Sequence, residues 1–240
     1  MGLQARRAKC RELVRKHYAR VPTREQLLDQ AVLESARPDH RLLDAGCGHS
    51  FPLLLKYAPK VSFTVGVDLV RPAAREMGRT RVVRGDLRAL PFRDGSFDLI
   101  VSRSVLEHLE NPSDVFREFI RLLRPRGKLI FTTPNKYYYS CLVARLIPFA
   151  LKGFYLKRVF GEDGYDHFPV FYRANTLGAF KRLAAKHGFT VMRIEAIRHY
   201  PFYLMFSPLL FRLGMLYDWV ITALRMTGLQ SNWLVVMEKA

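Results

Sequence analysis

Cysteine and long apolar runs are scarce in this sequence. Three cysteines are scattered over 240 residues, too few for a disulfide framework or a cysteine-rich zinc site. They fit a reducing compartment best and predict a cytoplasmic protein. No run of about 18 uninterrupted apolar residues occurs, which argues against a membrane-spanning helix. The first residues also lack the apolar segment that a secretory signal requires.

Acidic side chains are few as well. The chain has 21 Asp and Glu against 39 Lys and Arg, which gives a formal net charge of +18. Such a surplus favours acidic partners, namely nucleic acid, anionic lipid or phosphorylated substrates. The densest basic stretch lies between Arg6 and Arg20, where Glu12 is the only acidic residue. With 49% hydrophobic residues the composition is that of a globular chain, which excludes overall disorder.

Strand and helix patterns alternate from residue 41 onward. Short apolar runs predict seven strands, and helices are predicted before residue 36, from Asn111, and over residues 175–187. The sequence therefore predicts an α/β fold, a Rossmann-like and mostly parallel sheet of seven strands with helices on both faces. The predicted strands are 41–46, 63–68, 81–86, 97–102, 128–133, 189–197 and 233–237.

Two predicted domains share the chain, a helical N-terminal segment over residues 1–39 and an α/β domain over residues 40–240. Two aromatic-rich segments, about 134–172 and 199–229, interrupt the alternation after the fifth and sixth strands. Because ligands in open α/β sheets bind outside the carboxyl ends of strands, we expect both segments to cap the site. Three roles stay open for their aromatic residues: lining an acceptor pocket, forming the core of the cap, or contacting a membrane interface.

The strongest local signal is the stretch from Leu42 to Ser50, a strand that runs into a glycine-rich turn. Gly46 and Gly48 let the backbone approach a ligand closely, because they have no Cβ atom. Asp68 ends the next strand, 20 residues after Gly48, where an acidic side chain can accept hydrogen bonds from both ribose hydroxyls. This pairing predicts a nucleotide of the adenosine type.

The residues that follow the turn discriminate between nucleotides. The dinucleotide fingerprint has a third glycine where Phe51 stands, and Phe51 and Pro52 would obstruct a helix N-terminus that binds a pyrophosphate. A P-loop is excluded because no Gly-Lys-Ser/Thr follows. A ligand with ribose and adenine but no phosphates fits better, and this favours S-adenosylmethionine (SAM).

With these motifs, residues 40–135 resemble the class I SAM-dependent methyltransferases, apart from Ser50, where many members have a third glycine. The resemblance implies methyl transfer from SAM with S-adenosylhomocysteine (SAH) as product, and it implies that Asp86 binds the adenine amine. Further matching stretches are 84–92, 94–98, 104–109 and 122–129. The residues assigned to the cofactor are Asp44, Gly46, Cys47, Gly48, Asp68, Leu69, Asp86, Leu87 and Ser102.

Within this family the sequence resembles the branch of the ubiquinone-biosynthesis O-methyltransferases (methyltransferase type 11). Residues 106–109, 166–167 and Tyr172 carry that likeness. The branch can hold a divalent metal on a Glu-x-x-Glu-His cluster, but Ser104 replaces the first Glu here, so no metal site is predicted. The branch also contacts membrane through an insertion, whose place is taken here by residues 137–160.

Two histidines are the catalytic candidates. His167 is the candidate general base, because O-methylation requires a hydroxyl proton to be removed near neutral pH. The alternative is a histidine that is hydrogen-bonded within the cap. His108 is the second candidate, for which a structural or site-lining role is favoured over a catalytic one.

The expected acceptor is a hydrophobic or lipid-linked small molecule, with O-methylation favoured. A peripheral contact with an anionic membrane is a further expectation, through residues 149–160 and the basic N-terminus, with a solvated helix face as its alternative. Two other functions stay open. One is a nucleic-acid (RNA) methyltransferase, which only the charge supports, and the other is a SAM-binding partner protein without catalysis.

Overall fold

The computed structural model describes residues 2–74, 76–146 and 168–240. All seven predicted strands are present. None of the helices in these ranges combines the length and apolarity needed to cross a membrane. The α-helices are α1 (Leu3–His17), α2 (Arg24–Ser35), α3 (Pro52–Tyr57), α4 (Pro112–Leu122), α5 (Tyr139–Leu146), α6 (Leu177–His187) and α7 (Pro208–Ala223). The strands are β1 (Arg41–Ala45), β2 (Phe63–Asp68), β3 (Glu76–Met77), β4 (Thr80–Arg84), β5 (Phe97–Arg103), β6 (Leu123–Pro134), β7 (Phe189–Ile197) and β8 (Asn232–Lys239).

The strands form one sheet in the order β3-β4-β2-β1-β5-β6-β8-β7. β1 lies between β2 and β5 and is parallel to both, and the pairs β2–β4 and β5–β6 are parallel as well. The order of the strands therefore reverses at β1. In an open α/β sheet the crevice at such a reversal is where ligands bind. The predicted mostly parallel, Rossmann-like sheet is confirmed.

Several elements begin or end a residue or two from the predicted position, and three differences from the prediction are informative. The sequence pattern does not predict β3, because two residues are too short to show a period. Helix α6 begins at Leu177 rather than Asn175, since the Thr176 hydroxyl caps it by accepting a first-turn backbone N–H at 3.2 Å. β6 begins as early as Leu123, which pairs with Phe97 ahead of an irregularity in the ladder.

The chain divides into two compact units. We call them the insertion unit, which contains both aromatic-rich segments, and the sheet unit, which contains most of the sheet. The insertion unit comprises the described residues of Met1–Arg24, Pro134–Pro169 and Ala196–Asn232, and the sheet unit those of Glu25–Thr133, Val170–Glu195 and Trp233–Ala240.

The sheet unit has an aromatic core around β6. Phe116 on α4, Phe131 on β6 and Phe180 on α6 are completely buried. The Phe131 ring centroid lies 6.2 Å from that of Phe116 and 5.6 Å from that of Phe180, both in edge-on arrangements. Each buried phenyl ring contributes about 2–3 kcal/mol. This core fixes α4 and α6 against β6. β6 pairs with β5, and the residues that follow β5 border the glycine-rich turn.

The insertion unit contains a buried polar network. Asp218 on α7 is 2% exposed, and its Oδ2 atom accepts from the Tyr18 hydroxyl at 2.8 Å and from Arg198 Nε at 2.7 Å. Burial, followed by the charge of Asp218, raises the pKa of Tyr18, so the phenol keeps its proton and stays a donor. The network ties Tyr18, which directly follows α1, to α7.

Aromatic side chains of the two insertions pack against one another within the insertion unit. The ring centroids of Tyr138 and Tyr139 are 4.5 Å apart, and those of Tyr139 and Tyr217 are 5.4 Å apart. Tyr138 is 6% exposed, whereas Tyr137 and Tyr203 are 51% and 38% exposed. Tyr138 therefore belongs to a core, the second of the three roles considered above.

A salt bridge on α4 organises the loop that follows Asp86. Glu118 Oε1 accepts from Leu90 N at 2.7 Å, and Arg121 pairs with Glu118 while it donates to the carbonyl oxygens of Leu90 and Phe92. The hydrogen bonds from Arg121 are the main cause that lowers the pKa of Glu118. The loop is thus held to the helix by charge-assisted hydrogen bonds.

We expect Glu118→Gln to lower the free energy of unfolding by about 2 kcal/mol at neutral pH, because hydrogen bonds to a charged group are lost. The folded-state pKa of Glu118 lies below its unfolded value, so its contribution is present above the unfolded pKa and disappears as the pH falls through the folded one. Denaturant titrations of both proteins at neutral and acidic pH measure this. The matched control is Asp114→Asn, which removes an exposed ion pair with Arg117 on the same helix and is expected to change less. A difference that persists in acid would contradict the assignment.

Candidate cofactor site

The turn after β1 needs glycine at Gly46 for two reasons. Its φ of +86° lies in the left-handed region, and a Cβ atom there would come within 2.1 Å of Val105 Cγ2. The backbone N–H groups of Gly46 and Cys47 both donate to the carbonyl oxygen of Val67, at 2.8 and 3.2 Å. The turn is therefore fastened to the end of β2 and packed against the residues that follow β5.

The structure brings Gly48 and Asp68 into direct contact. Gly48 has a φ of +71°, and its N–H donates to Asp68 Oδ2 at 2.7 Å. Asp68 Oδ1 accepts from Val70 N at 2.9 Å. Each carboxylate oxygen keeps a lone pair for a further donor. A Cβ atom at Gly48 would meet nothing within 4 Å, so the turn faces open space here.

Asp44, at the carboxyl end of β1, is a buried carboxylate with unusual surroundings. It is completely buried, and neither of its oxygens has a hydrogen-bond partner among the described residues. Burial raises its pKa to about 7, against the opposing effect of Arg103 and with a smaller contribution from Asp68. A buried carboxylate of this kind is stabilised in its charged form by a nearby cation.

The start of α3 is unsuited to a phosphate. Phe51 precedes the helix in a left-handed conformation with a φ of +39°, is 3% exposed and makes no side-chain cap hydrogen bond. Pro52 is the first helical residue and has no N–H to donate. The helix has only six residues. These features agree with the argument that the turn does not bind a pyrophosphate.

Asp86 is paired with its own neighbour. Its Oδ1 accepts from the backbone N–H of Arg88 at 2.9 Å, and the Arg88 guanidinium donates to both oxygens at 2.6–3.0 Å. The hydrogen bonds from Arg88 lower the pKa of Asp86. Leu87 is buried beside it, whereas Leu69, after β2, is 55% exposed. Sequence reasoning did not identify Arg88, because a contact two residues away in a loop leaves no periodic signal.

Cys47 and Ser102 have their polar atoms directed at the backbone. The Ser102 hydroxyl is buried and donates to the carbonyl oxygen of Ala45 at 2.8 Å, which joins β5 to the end of β1. The Cys47 thiol lies 3.6 Å from the Gly48 carbonyl, and burial is the main cause that raises its pKa to about 12. The thiol therefore stays protonated at neutral pH, so it is a poor nucleophile.

Of the two catalytic candidates, the structure describes His108 but not His167. His108 ends a short 3-10 helix, Leu106–His108, which follows β5. His167 lies outside the described residues, as does most of the segment 137–160. Both assignments stay predictions. The described part of the chain contains no group of three or more His, Cys, Asp or Glu side chains placed to hold a metal ion.

A buried polar cluster behind the turn was not identified from the sequence. Glu107 is 5% exposed, and its Oε2 atom accepts from the Thr133 hydroxyl at 3.1 Å. Asn175 Nδ2 in turn donates to the Thr133 hydroxyl at 2.6 Å, and the Glu107 carbonyl oxygen accepts from Phe171 N and Tyr172 N. The only signal in the sequence is an acidic residue in an apolar stretch. The cluster fixes the residues between β5 and α4 against the end of β6.

Comparison with known proteins shows what the middle of the chain is similar to. Residues 43–131 match the family model described as methyltransferase domain. The chain is 35% identical over 127 residues to the 24-methylenesterol C-methyltransferase 2 of Oryza sativa, which covers 49% of this chain and 32% of that protein. It is 37% identical over 103 residues to the malonyl-[acyl-carrier protein] O-methyltransferase of Legionella pneumophila, with 39% of this chain and 36% of that protein covered. The matches therefore span about a third of the length of these relatives.

A solved structure supports the fold independently. The geranyl diphosphate C-methyltransferase of Streptomyces coelicolor, solved with Mg²⁺, geranyl diphosphate and SAH, superposes with a TM-score of 0.57 at 16% sequence identity. The alignment covers 88% of this chain and 76% of that protein. At this identity the likeness concerns the fold alone. Over residues 43–131 the chain is therefore similar to methyltransferases that use SAM, and the glycine-rich turn and its acidic partner lie within this stretch.

Proposed function

We propose that this chain transfers the methyl group of SAM to an oxygen atom of a hydrophobic or lipid-linked small molecule and releases SAH. The observation that carries the proposal is the contact between Gly48 and Asp68 beside the unpartnered carboxylate of Asp44. One carboxylate offers lone pairs to a ribose, and the other is a buried anion that suits the ammonium group of a methionine moiety. No phosphate cradle accompanies them.

In this proposal each assigned residue has a separate task. Asp68 accepts from the ribose hydroxyls, and Asp44 neutralises the ammonium group. Asp86 accepts from the adenine amine after exchanging part of its contact with Arg88, and Leu69 and Leu87 flank the base. Gly46 and Gly48 admit the cofactor by lacking side chains, while Cys47 and Ser102 support the turn.

When bound, SAM supplies a methyl group on a positively charged sulfur, which is transferred to a nucleophile in a single displacement that leaves the neutral thioether of SAH. The acceptor hydroxyl must lose its proton as the new carbon–oxygen bond forms. We propose His167 as the group that takes this proton, with His108 lining the site. The protein contributes mainly by aligning the acceptor oxygen with the methyl group.

The choice of acceptor is supported by the names of the relatives. A methylenesterol and geranyl diphosphate are apolar or carry a long apolar part, and malonyl-[acyl-carrier protein] is a carrier-linked acid. Two of these relatives are named C-methyltransferases and one is named an O-methyltransferase. The preference for oxygen therefore depends on the resemblance to the ubiquinone branch. A peripheral contact with an anionic membrane belongs to the same proposal, because it would bring the chain to such acceptors.

The direct test of activity uses SAM carrying a radiolabelled methyl group. Wild-type chain and an Asp68→Ala variant are incubated with a fractionated lipid extract and, separately, with total RNA. The proposal predicts label in one apolar lipid fraction with the wild type and little with the variant. Label in RNA alone would support the nucleic-acid alternative, to which the charge of +18 points. SAM binding without transfer to any fraction would favour a non-catalytic role.

The raised pKa of Asp44 predicts that SAM affinity depends on pH. A cation binds the ionised carboxylate, so affinity should rise by up to about tenfold between about pH 6 and about pH 8 as Asp44, with a pKa of about 7, loses its proton. Calorimetric titration of SAM across this range measures the effect.

Asp44→Asn supplies the control for this pH dependence. It should flatten the profile and weaken binding at about pH 8. Because the folded-state pKa of Asp44 is raised, ionisation destabilises the empty protein as the pH rises from about 4 to about 7. The same variant should therefore be more stable than the wild type by about 1–2 kcal/mol at neutral pH. An unchanged pH profile in this variant would remove Asp44 from the cofactor site.

A further inference from the structure

Helix α7 is apolar on both of its sides. One side is buried within the insertion unit and consists of Phe211, Gly214, Asp218 and Ile221, which recur at helical spacing. Gly214 permits close packing there, because a Cβ atom would lie 2.6 Å from Pro201 Cβ. Amphipathic surface helices of globular domains present mainly charged or polar residues on the opposite side, whereas the exposed side of α7 is mainly apolar, with Arg212 as its charged residue.

The other side of α7 exposes large apolar side chains. They recur along the whole helix and just past its end, and each leaves more than half of its surface exposed to solvent. Contiguous apolar surface of this kind marks an interaction site on a protein rather than ordinary scatter. The residues, which we call the leucine face, are Leu209 (69% exposed), Leu213 (54%), Leu216 (56%), Trp219 (63%) and Leu224 (66%).

The charges around the leucine face are positive. Within α7 the exposed charged residue is Arg212, since Asp218 is buried and paired with Tyr18 and Arg198. Arg225 follows the helix and is exposed. No acidic side chain of the described helix α7 faces solvent, so the exposed charge that α7 and Arg225 bring to the leucine face is positive.

Helix α1 adds to this charge in the same unit. Its apolar residues pack with the region of α7: Cys10 lies in one buried cluster with Met205 and Phe211, and Leu13 packs against it. The Cys10 thiol also lies 3.6 Å from the Met205 carbonyl oxygen. The rest of the helix surface is exposed and basic, with Glu12 as its acidic exception. The exposed basic residues of α1 and the turn after it include Lys9, Arg11, Arg15, Lys16 and Arg20.

We propose that the leucine face docks on the surface of an anionic lipid bilayer, with Arg212 and Arg225 near lipid headgroups and the basic residues of α1 adding to the charge that attracts the chain. Helices that lie in the membrane interface combine leucine and tryptophan with lysine and arginine. A second copy of the chain is disfavoured as occupant, because it would bring together two copies of a chain with net charge +18. The inference rests on the proposed function, which includes a peripheral membrane contact, and it names the surface that makes this contact.

Trp219 makes this surface directly observable. The chain has two tryptophans, and the other, Trp233, is 4% exposed and has an indole N–H without a partner among the described residues. Trp233→Phe therefore keeps an apolar ring in the core and leaves Trp219 as the only indole. Its fluorescence is followed while the full chain is mixed with vesicles of phosphatidylcholine, with or without about a third of phosphatidylglycerol, and binding is measured by co-sedimentation.

The expected result is a blue shift of Trp219 emission with the anionic vesicles, at most a weak one with neutral vesicles, and loss of binding as salt increases. In this background Leu213→Glu with Leu216→Glu should weaken partitioning by about tenfold or more. Leu33→Glu is the matched control, since Leu33 is a 48% exposed helical leucine of the sheet unit. Arg11→Glu with Lys16→Glu should weaken binding to anionic vesicles only.

Three outcomes would overturn the inference. One is the absence of binding to anionic vesicles. Another is binding that occurs without a shift of Trp219 emission and that the leucine variants do not weaken, because charge alone would then hold the chain on the vesicle. The third is concentration-dependent self-association that the leucine variants abolish while vesicles stay unbound, which would assign the face to a second copy. SAM titration of the same variants reports separately on the cofactor site, so failure of docking and failure of the proposed function are distinguishable.

Discussion

Asp68→Ala is expected to weaken SAM binding by about ten- to a hundredfold, or about 1.4–3 kcal/mol. The variant removes the acceptor proposed for the ribose hydroxyls. It also removes the acceptor of the Gly48 N–H, now at 2.7 Å, so the turn loses a contact that shapes it. Charge-assisted hydrogen bonds of this type contribute about 1.5–3 kcal/mol, and two of them account for the upper end of the range.

The matched control for this prediction is Asp39→Ala, an exposed loop position in the sheet unit with the same change of charge. It should leave the SAM dissociation constant within about twofold of the wild type, since exposed charges contribute little. Thermal melting of all three proteins separates a loss of binding from a loss of folding. Equal affinities in Asp68→Ala and wild type would place the cofactor elsewhere.

Gly46→Ala and Gly48→Ala should both weaken SAM binding but differ in how much stability they cost. Gly46→Ala should lower the free energy of unfolding by about 2–4 kcal/mol and abolish measurable SAM binding, because it adds left-handed strain to an approach of 2.1 Å to Val105. Gly48→Ala should cost only about 1 kcal/mol of stability, since nothing lies within 4 Å. It should still weaken SAM binding by about tenfold or more, as the new methyl group occupies the space proposed for the cofactor.

A rescue experiment separates the two causes at Gly46. Val105→Ala removes both methyl groups that a Cβ atom at Gly46 would meet, so the double variant Gly46→Ala/Val105→Ala should recover the part of the stability loss that arises from crowding. The strain from a φ of +86° would remain. Denaturant titrations of the four proteins in this cycle measure the coupling. Additive losses would show that the close approach does not limit the turn.

The parts that the sequence predicts well are those that depend on neighbouring residues. The pairing of Gly48 with Asp68 follows from a strand, a tight turn and the next parallel strand, which all lie within one βαβ unit. The strands follow from their apolar runs, and β3 is missed because two residues carry no period. Phe51 and Pro52 argue against phosphate binding because of their residue types, and the observed start of α3 agrees with that argument.

The parts that the sequence does not predict are tertiary. The contact of Glu107 with Thr133 and Asn175 joins three segments that are far apart in the chain, and no local pattern reports it. Arg88 on Asp86 reflects the shape of a loop. The leucine face is hidden for another reason. Helix α7 has apolar residues on most of its sides, which by itself indicates burial, and only the fold shows which side stays exposed.

The measurement that tests the central claim most directly is calorimetric titration of the purified chain with SAM and SAH, beside NAD⁺ and ATP. The contact of Gly48 with Asp68, the buried charge of Asp44 and the unsuited start of α3 together predict micromolar binding of SAM and SAH and no measurable binding of NAD⁺ or ATP. Binding of NAD⁺ or ATP with an affinity equal to that of SAM, or no binding of SAM at all, would contradict the assignment of this turn to a SAM site.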